Sequence, residues 1–237
     1  MKTVHSIQAE KWYADAQDWG LALMASTAGS LDVLAFTHLG NVLPSAMTGN
    51  TALLGLALGQ GRWNDAIPFL LAFGAFCCGA AATTVALSLW PGGRSSPHAA
   101  HRFLAVEALL LAGFLLLWLF SVQPFEGFRR DGLILLAAFT MGMQGMVARL
   151  DNRPGVNTIV FTSTLSSIVG AATETLLRRP HRLDRDTKRQ IGMFGAYFLG
   201  ALISGLLVWS GSPAMAALPF ALVFGALICR WRIAAIG

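Results

Sequence analysis

The sequence predicts an all-α integral membrane protein with about six transmembrane helices plus two short broken or re-entrant helical segments, arranged as a 3+3 inverted repeat. Three observations predict it. The chain is 55% hydrophobic and only 12% charged, whereas soluble domains carry roughly 25% charged residues. Long apolar runs recur at Trp19–Leu31, Ala66–Trp90, Phe103–Val122, Leu133–Val147, Ile191–Trp209 and Pro213–Cys229. Each is enough, alone or with its flanks, for a spanning helix of ~20 residues. Two further apolar stretches interrupt this pattern, one in each half of the chain.

The chain reads as one membrane domain, 1–237, with a polar N-terminal tail at 1–18, a first repeat at 19–122 and a second at 131–232. The tail mixes Lys2, Glu10, Lys11, Asp15 and Asp18 and lacks the pattern of a cleaved signal, so the first spanning helix is expected to direct insertion. Two readings of the tail stay open: an interfacial amphipathic helix through Trp12, Tyr13 and Trp19, or a frayed end. The first helix carries Asp32 and stops at a Gly40-Asn41…Pro44 break. The next segment, Ala46–Leu58, has 13 residues, about 20 Å of helix and too short to span. Ala66–Trp90 carries Cys77 and Cys78, which as neighbours form no ordinary disulfide. Together with Cys229 they are expected to be buried packing residues. Phe103–Val122 contains Glu107, close after Arg102 and expected at the interface.

The second half follows the same order. Leu133–Val147 carries Gln144 and leads to Arg149. A break at Asn152-Arg153-Pro154-Gly155 precedes Val156–Leu177, whose first half is rich in hydroxyls: Thr158, Thr162, Ser163, Thr164, Ser166 and Ser167. Two spans complete the chain. A shift of 113 residues places Ala25, Thr27 and Gly29 on Ala138, Thr140 and Gly142, and Asp32 on Gly145; a shift of 114 places Thr48 on Thr162. Both helices keep small residues at i, i+3 and i+4 spacing.

The net charge of +5 is explained by loops rather than by nucleic-acid binding. With six spans, every Lys and Arg except Arg62, Arg129 and Arg130 falls on the side of the two termini, which satisfies the positive-inside rule. Eight spans satisfy it almost equally, so the shortness of Ala46–Leu58 decides for six. No cofactor is expected and no metal site, since Cys/His spacing is absent and His98 and His101 lie in a Pro/Gly/Ser loop. No nucleophile or phosphate-binding motif occurs, so an enzyme is not expected. Ala201 and Gly205 form a small-xxx-small pair, read first as internal helix packing, with a homo-oligomer left open.

Asp32 is the leading candidate for function. A carboxylate inside a bilayer costs at least ~2.5–3.5 kcal/mol and must be paired, protonated or wet. Thr48-Gly49-Asn50 opens the short helix, where unpaired N–H groups and a partial positive charge suit a polar or anionic group; ordinary capping is the plainer alternative. Thr162-Ser163-Thr164 is its counterpart. Gln144 needs a partner mid-helix, by interhelical hydrogen bond or ligand. Arg149 is a candidate ion-pair partner for Asp32, or a snorkelling residue. Glu174 suits a local pair with Arg178, and His38 an interfacial helix end.

AGSLD (Ala28–Asp32), MTGN (Met47–Asn50) and GMQ (Gly142–Gln144), followed by Arg149 and a Thr-rich segment, resemble the YoaK-like family of bacterial membrane proteins, a family of unknown function. The resemblance runs from about Trp19 to Arg232. Where this chain has Gly145 the family typically has Asn, and where it has Thr162-Ser163-Thr164 the family often has Thr-Gly-Thr. The resemblance implies a multi-pass protein of the bacterial inner membrane with about six helices. The leading expectation is a small-molecule transporter, proton-coupled through Asp32, with lipid and an unidentified small molecule or ion as partners. A passive channel and a non-transport scaffold or regulatory protein are the alternatives.

Overall fold

The computed structural model describes residues 4–90, 99–149, 161–177 and 183–234, the side chains of 4–16, 161–163 and 232–234 excepted. The described residues form α1 (Val4–His38), α2 (Met47–Gly59), α3 (Trp63–Leu89), α4 (Ala99–Leu119), α5 (Gly127–Ala148), α6 (Phe161–Leu177), α7 (Arg185–Trp209) and α8 (Ala217–Ala234), the last entered through a 3₁₀ turn at Pro213–Ala216. No strand occurs among them. The polar stretch before residue 18 is not a separate element: from Val4 it is the start of α1.

Among the described residues, six helices are long and apolar enough to cross a membrane: Gln17–His38 of α1, α3, α4, α5, α7 and Pro213–Trp231. The 13-residue α2 falls below that length, as the sequence predicts, and α6 is described over the 17 residues Phe161–Leu177. Six spans bring the chain back to the side from which it set out. Gly20 accordingly lies beside Arg230, so the start of α1 and the end of α8 share what is here called the terminal end. The α1–α2 break lies at the opposite, loop end. Exposed tryptophans mark both ends, Trp19, Trp90 and Trp231 at the terminal end and Trp63 and Trp209 at the loop end. That is the distribution favoured at membrane–water interfaces.

α1 packs along α7 and α8, and α5 packs along α3 and α4; α4 also meets α8, α2 lies on α3, and α6 on α7. Two of these crossings are backbone to backbone. A Cβ on Gly29 would collide with the Tyr197 carbonyl, and one on Gly200 with the Ser26 carbonyl. The α3–α5 crossing repeats this: Gly79 meets the Phe139 carbonyl and Gly142 the Phe76 carbonyl. In lipid the hydrophobic effect does not drive helices together, so such close van der Waals contact carries much of the association. Ala201 belongs to the first crossing, its backbone facing Gly29, while Gly205 is open.

The core has two parts. Near the loop end, Leu31, Leu34, Phe114, Trp118, Leu133 and Ile134 are buried together. His38, the last residue of α1, lies edge-on to Trp118 at 5.3 Å. Toward the terminal end, Leu21, Met24, Leu104, Met143, Val147 and Ala226 form a second cluster. There Arg189 of α7 grips Asp18 of α1 at 2.8 Å.

The cysteines depart from expectation. α3 turns Ala72, Ala75, Gly79 and Thr83 inward, and the helical period puts Cys77 and Cys78 on the outer surface. An apolar outer surface is what lipid accepts, so hydrophobicity there does not signal burial in protein.

Candidate functional site at the broken first helix

α1 ends because Gly40 (φ +87°) and Asn41 (φ +61°) take left-handed backbone conformations that a continuing helix excludes. The chain then doubles back along α1 until Ser45 reaches Asp32. Asp32 is 2% exposed. Its Oδ1 accepts the Ser45 backbone N–H at 2.8 Å. Its Oδ2 accepts the Ser45 hydroxyl at 2.5 Å and the Tyr197 hydroxyl of α7 at 2.7 Å. Ser45 immediately precedes Ala46, the N-cap of α2, which has no side-chain cap of its own. The carboxylate therefore sits at the positive end of a helix and meets three donors, a setting that stabilises negative charge.

Asn50 completes the turn. It is 1% exposed. Its Oδ1 accepts the Leu43 N–H at 2.9 Å and its Nδ2 donates to the Leu43 carbonyl at 2.8 Å. The amide thus replaces the backbone partners that Leu43 loses by leaving the helix. Gly49 packs against Leu43, and Thr48 is exposed. Asp32 is held next to the start of α2 through Ser45, while the Gly49 and Asn50 N–H groups both donate to the Ala46 carbonyl.

The site extends along the α1–α7 seam. Ser30 and Ser204 share a hydrogen bond of 2.6 Å, and Ser26 donates to the Ala196 carbonyl at 2.8 Å. Sequence reasoning missed Ser45 and Tyr197. One signal existed: Tyr197 is one of 2 tyrosines in the chain and lies within an apolar span, where its hydroxyl needs a partner.

The remaining candidates lie elsewhere. Gln144 is 0% exposed and donates from Nε2 to the Met24 carbonyl of α1 at 3.0 Å. Met24 lies eight positions before Asp32, about 12 Å along the helix at 1.5 Å per residue. Arg149 is exposed at the C-cap of α5, at the terminal end. It does not pair with Asp32, whose acceptors are taken by Ser45 and Tyr197. Thr164 of α6 is buried; the Thr162 and Ser163 side chains lie outside the described residues, as do Thr158, Asn152–Gly155, His98 and Arg178. Glu174 is exposed.

Glu107 is a second correction. It stands eight residues into α4 rather than at an interface, is 0% exposed, and neither carboxyl oxygen has a hydrogen-bond partner. Its face of α4 carries Ala100, Leu104, Ala108 and Leu111, and helical period places it inside with them. Among the described residues no three His, Cys, Asp or Glu side chains cluster as a metal site.

Residues 20–229 match the profile of a family described as protein of unknown function (DUF1275). The chain is 30% identical over 216 residues to the UPF0700 transmembrane protein YoaK of Bacillus subtilis (strain 168), covering 88% of this chain and 91% of that protein. No solved structure matches significantly.

Proposed function

Since the chain belongs to the DUF1275 family of YoaK-like multi-pass membrane proteins, we propose that it is a small-molecule transporter in which Asp32 couples a proton to opening of the loop end. The observation that carries this reading is the Asp32 carboxylate joining α1, the α1–α2 loop and α7. Protonation removes the negative charge and turns one acceptor oxygen into a donor. That weakens the bonds from Ser45 and Tyr197 and frees the loop. Deprotonation restores them.

A 3+3 inverted repeat belongs to the same proposal. α2 and α6 carry Thr48 and Thr162, the pair related by the 114-residue offset. The α1–α7 crossing at Gly29 and Gly200 has its counterpart in the α5–α3 crossing at Gly142 and Gly79. Repeats of this kind recur in secondary transporters. The distribution of Lys and Arg supports the bacterial inner membrane with both termini cytoplasmic. The partners in this reading are lipid and a small polar solute, and no catalytic step or cofactor is involved.

The test starts from a panel of small solutes screened for thermal stabilisation of the purified protein. A solute that stabilises the wild type and not Asp32→Asn is then followed into proteoliposomes under a proton gradient. Saturable, gradient-driven uptake that Asp32→Asn abolishes supports the reading, and unchanged uptake in the variant overturns it. Flux without saturation or pH dependence indicates the channel. The saturated hydrogen bonding of Asp32 favours one further reading, a fixed clamp in a scaffold protein. In that case Asp32→Asn lowers protein level and no flux is found.

A further inference from the structure

Glu107 is a buried titratable group that the Asp32 clamp does not use. Its two oxygens and Oε1 of Gln144 are acceptor atoms sealed from solvent without a donor, and both residues are 0% exposed. They stand on packed neighbours, α4 and α5. The two helices run antiparallel, and Leu104 of α4 belongs to one cluster with Met143 and Val147 of α5. At 1.5 Å per residue, a step of one turn toward the loop end from that cluster places Glu107 at the level of Thr140–Gln144. Gln144 cannot turn its amide to serve Glu107, because Nε2 is held by the Met24 carbonyl. Thr140 is spent as well, its hydroxyl donating to the Leu136 carbonyl.

The surrounding charges do not neutralise Glu107. On α4 itself, His101 stands nearly two turns closer to the terminal end, and Arg102 reaches to the Trp90 ring at 4.5 Å. On α5, Arg129, Arg130 and Asp131 occupy the far, loop end, and Arg149 is exposed at the near one. On α8, Arg230 is buried in the last turns at the terminal end, next to Gly20 of α1. The other buried acid among the described residues, Asp32, is engaged by Ser45 and Tyr197.

We propose that Glu107 and the Gln144 carbonyl oxygen form a proton-binding site in the terminal half of the bundle, separate from the Asp32 clamp. One proton from water adds to a Glu107 oxygen. The product is a neutral carboxylic acid whose O–H is donated to Gln144 Oε1, so that a single proton removes both the charge and the missing donor. Release returns the proton to water and leaves the carboxylate. A metal cation is the poorer occupant: Ca²⁺ and Mg²⁺ take six or more oxygen ligands, against the three unfilled acceptors here. The site stands apart from transport and needs no solute to be detected.

Infrared difference spectroscopy of the purified protein in lipid nanodiscs tests it. Wild type minus Glu107→Gln should show a carboxylic-acid C=O band at neutral pH that gives way to carboxylate bands as pH is raised. Glu107→Met, which carries no carboxyl, serves as a second reference should the Gln variant fail to fold. Gln144→Leu should shift the band to higher frequency, because the acid loses its acceptor. The proposal is overturned if Glu107 contributes only carboxylate bands at neutral pH, if its acid band never titrates, if the band ignores Gln144→Leu, or if sodium or potassium abolishes it at constant pH. A titrating band in a protein without solute flux leaves this site standing and removes the transport reading.

Discussion

Asp32 and Glu107 are both buried in the bundle, and only one of them is met by donors. Asp32 lies about two turns from a helix break, and the break makes the difference. Leaving the helix at Gly40 frees backbone N–H groups, and the loop carries Ser45 back to the carboxylate with one of them and with its hydroxyl. Glu107 stands in an unbroken helix whose N–H groups are committed to its own carbonyls, on a face otherwise made of Ala and Leu. In a lipid-embedded bundle, donors for a buried acid come from chain breaks and polar-tipped side chains. An acid in regular helix has to find another answer.

Mutation can break this contrast, beginning with its largest expected effect. Asp32→Ala leaves three donors without an acceptor and should cost about 3 kcal/mol or more, since each orphaned buried group costs ~1–3 kcal/mol; thermal unfolding in detergent measures it. An effect below that of a surface substitution would mean the clamp does not hold the loop. Glu107→Met should act in the opposite direction where the carboxylate is ionised. Above the pH at which its acid band titrates, it replaces an unpartnered charge by an apolar side chain of similar volume, and a stability gain on the order of 1–3 kcal/mol is expected. A loss of that size at that pH would mean that the carboxylate meets a donor and so dissolve the contrast. Tyr197→Phe removes a single hydrogen bond and keeps the ring, for about 1 kcal/mol. Paired with Asp32→Asn in a double-mutant cycle, it should be clearly non-additive.

The smallest effect concerns a third carboxylate, outside the spans. Asp184 caps α7, with its Oδ1 accepting the Thr187 N–H at 3.0 Å. Hydrogen bonds from the Thr187 side chain and backbone hold its carboxyl below the usual range. A group lowered in this way adds stability above its unfolded value and loses it as pH falls through the folded one. Protection against amide exchange in the first turn of α7, taken relative to the intrinsic rate at each pH, should therefore fall toward acid pH, and Asp184→Ala should flatten that dependence without moving global unfolding.

Much of the architecture was legible from the chain. Apolar run length located the spans, and the 13 residues of α2 marked it as too short. Asp32 announced itself as a charge among apolar neighbours, and Asn50 as a polar residue after a break. Ser45 and Tyr197 did not, because their importance lies in whom they meet, and Tyr197 meets Asp32 across 165 positions of chain. Glu107 was misplaced for a related reason. Nearness to Arg102 in sequence suggested an interface, while the helical period turns the two side chains to different sides of α4. Cys77 and Cys78 show the limit of hydrophobicity as a guide, since lipid and protein interior accept the same residues.

The sequence by itself determined the class of protein, its set of about six spans, the short α2 and the presence of an acid beside a broken helix. These follow from composition and local period, which act along the chain. Only the tertiary structure decided that Asp32 is clamped by a serine and a distant tyrosine, that Arg149 is not its partner, and that Glu107 is sealed without one. Those outcomes depend on which helix faces meet, and close packing of α1 on α7 and of α5 on α3 at paired glycines sets that choice.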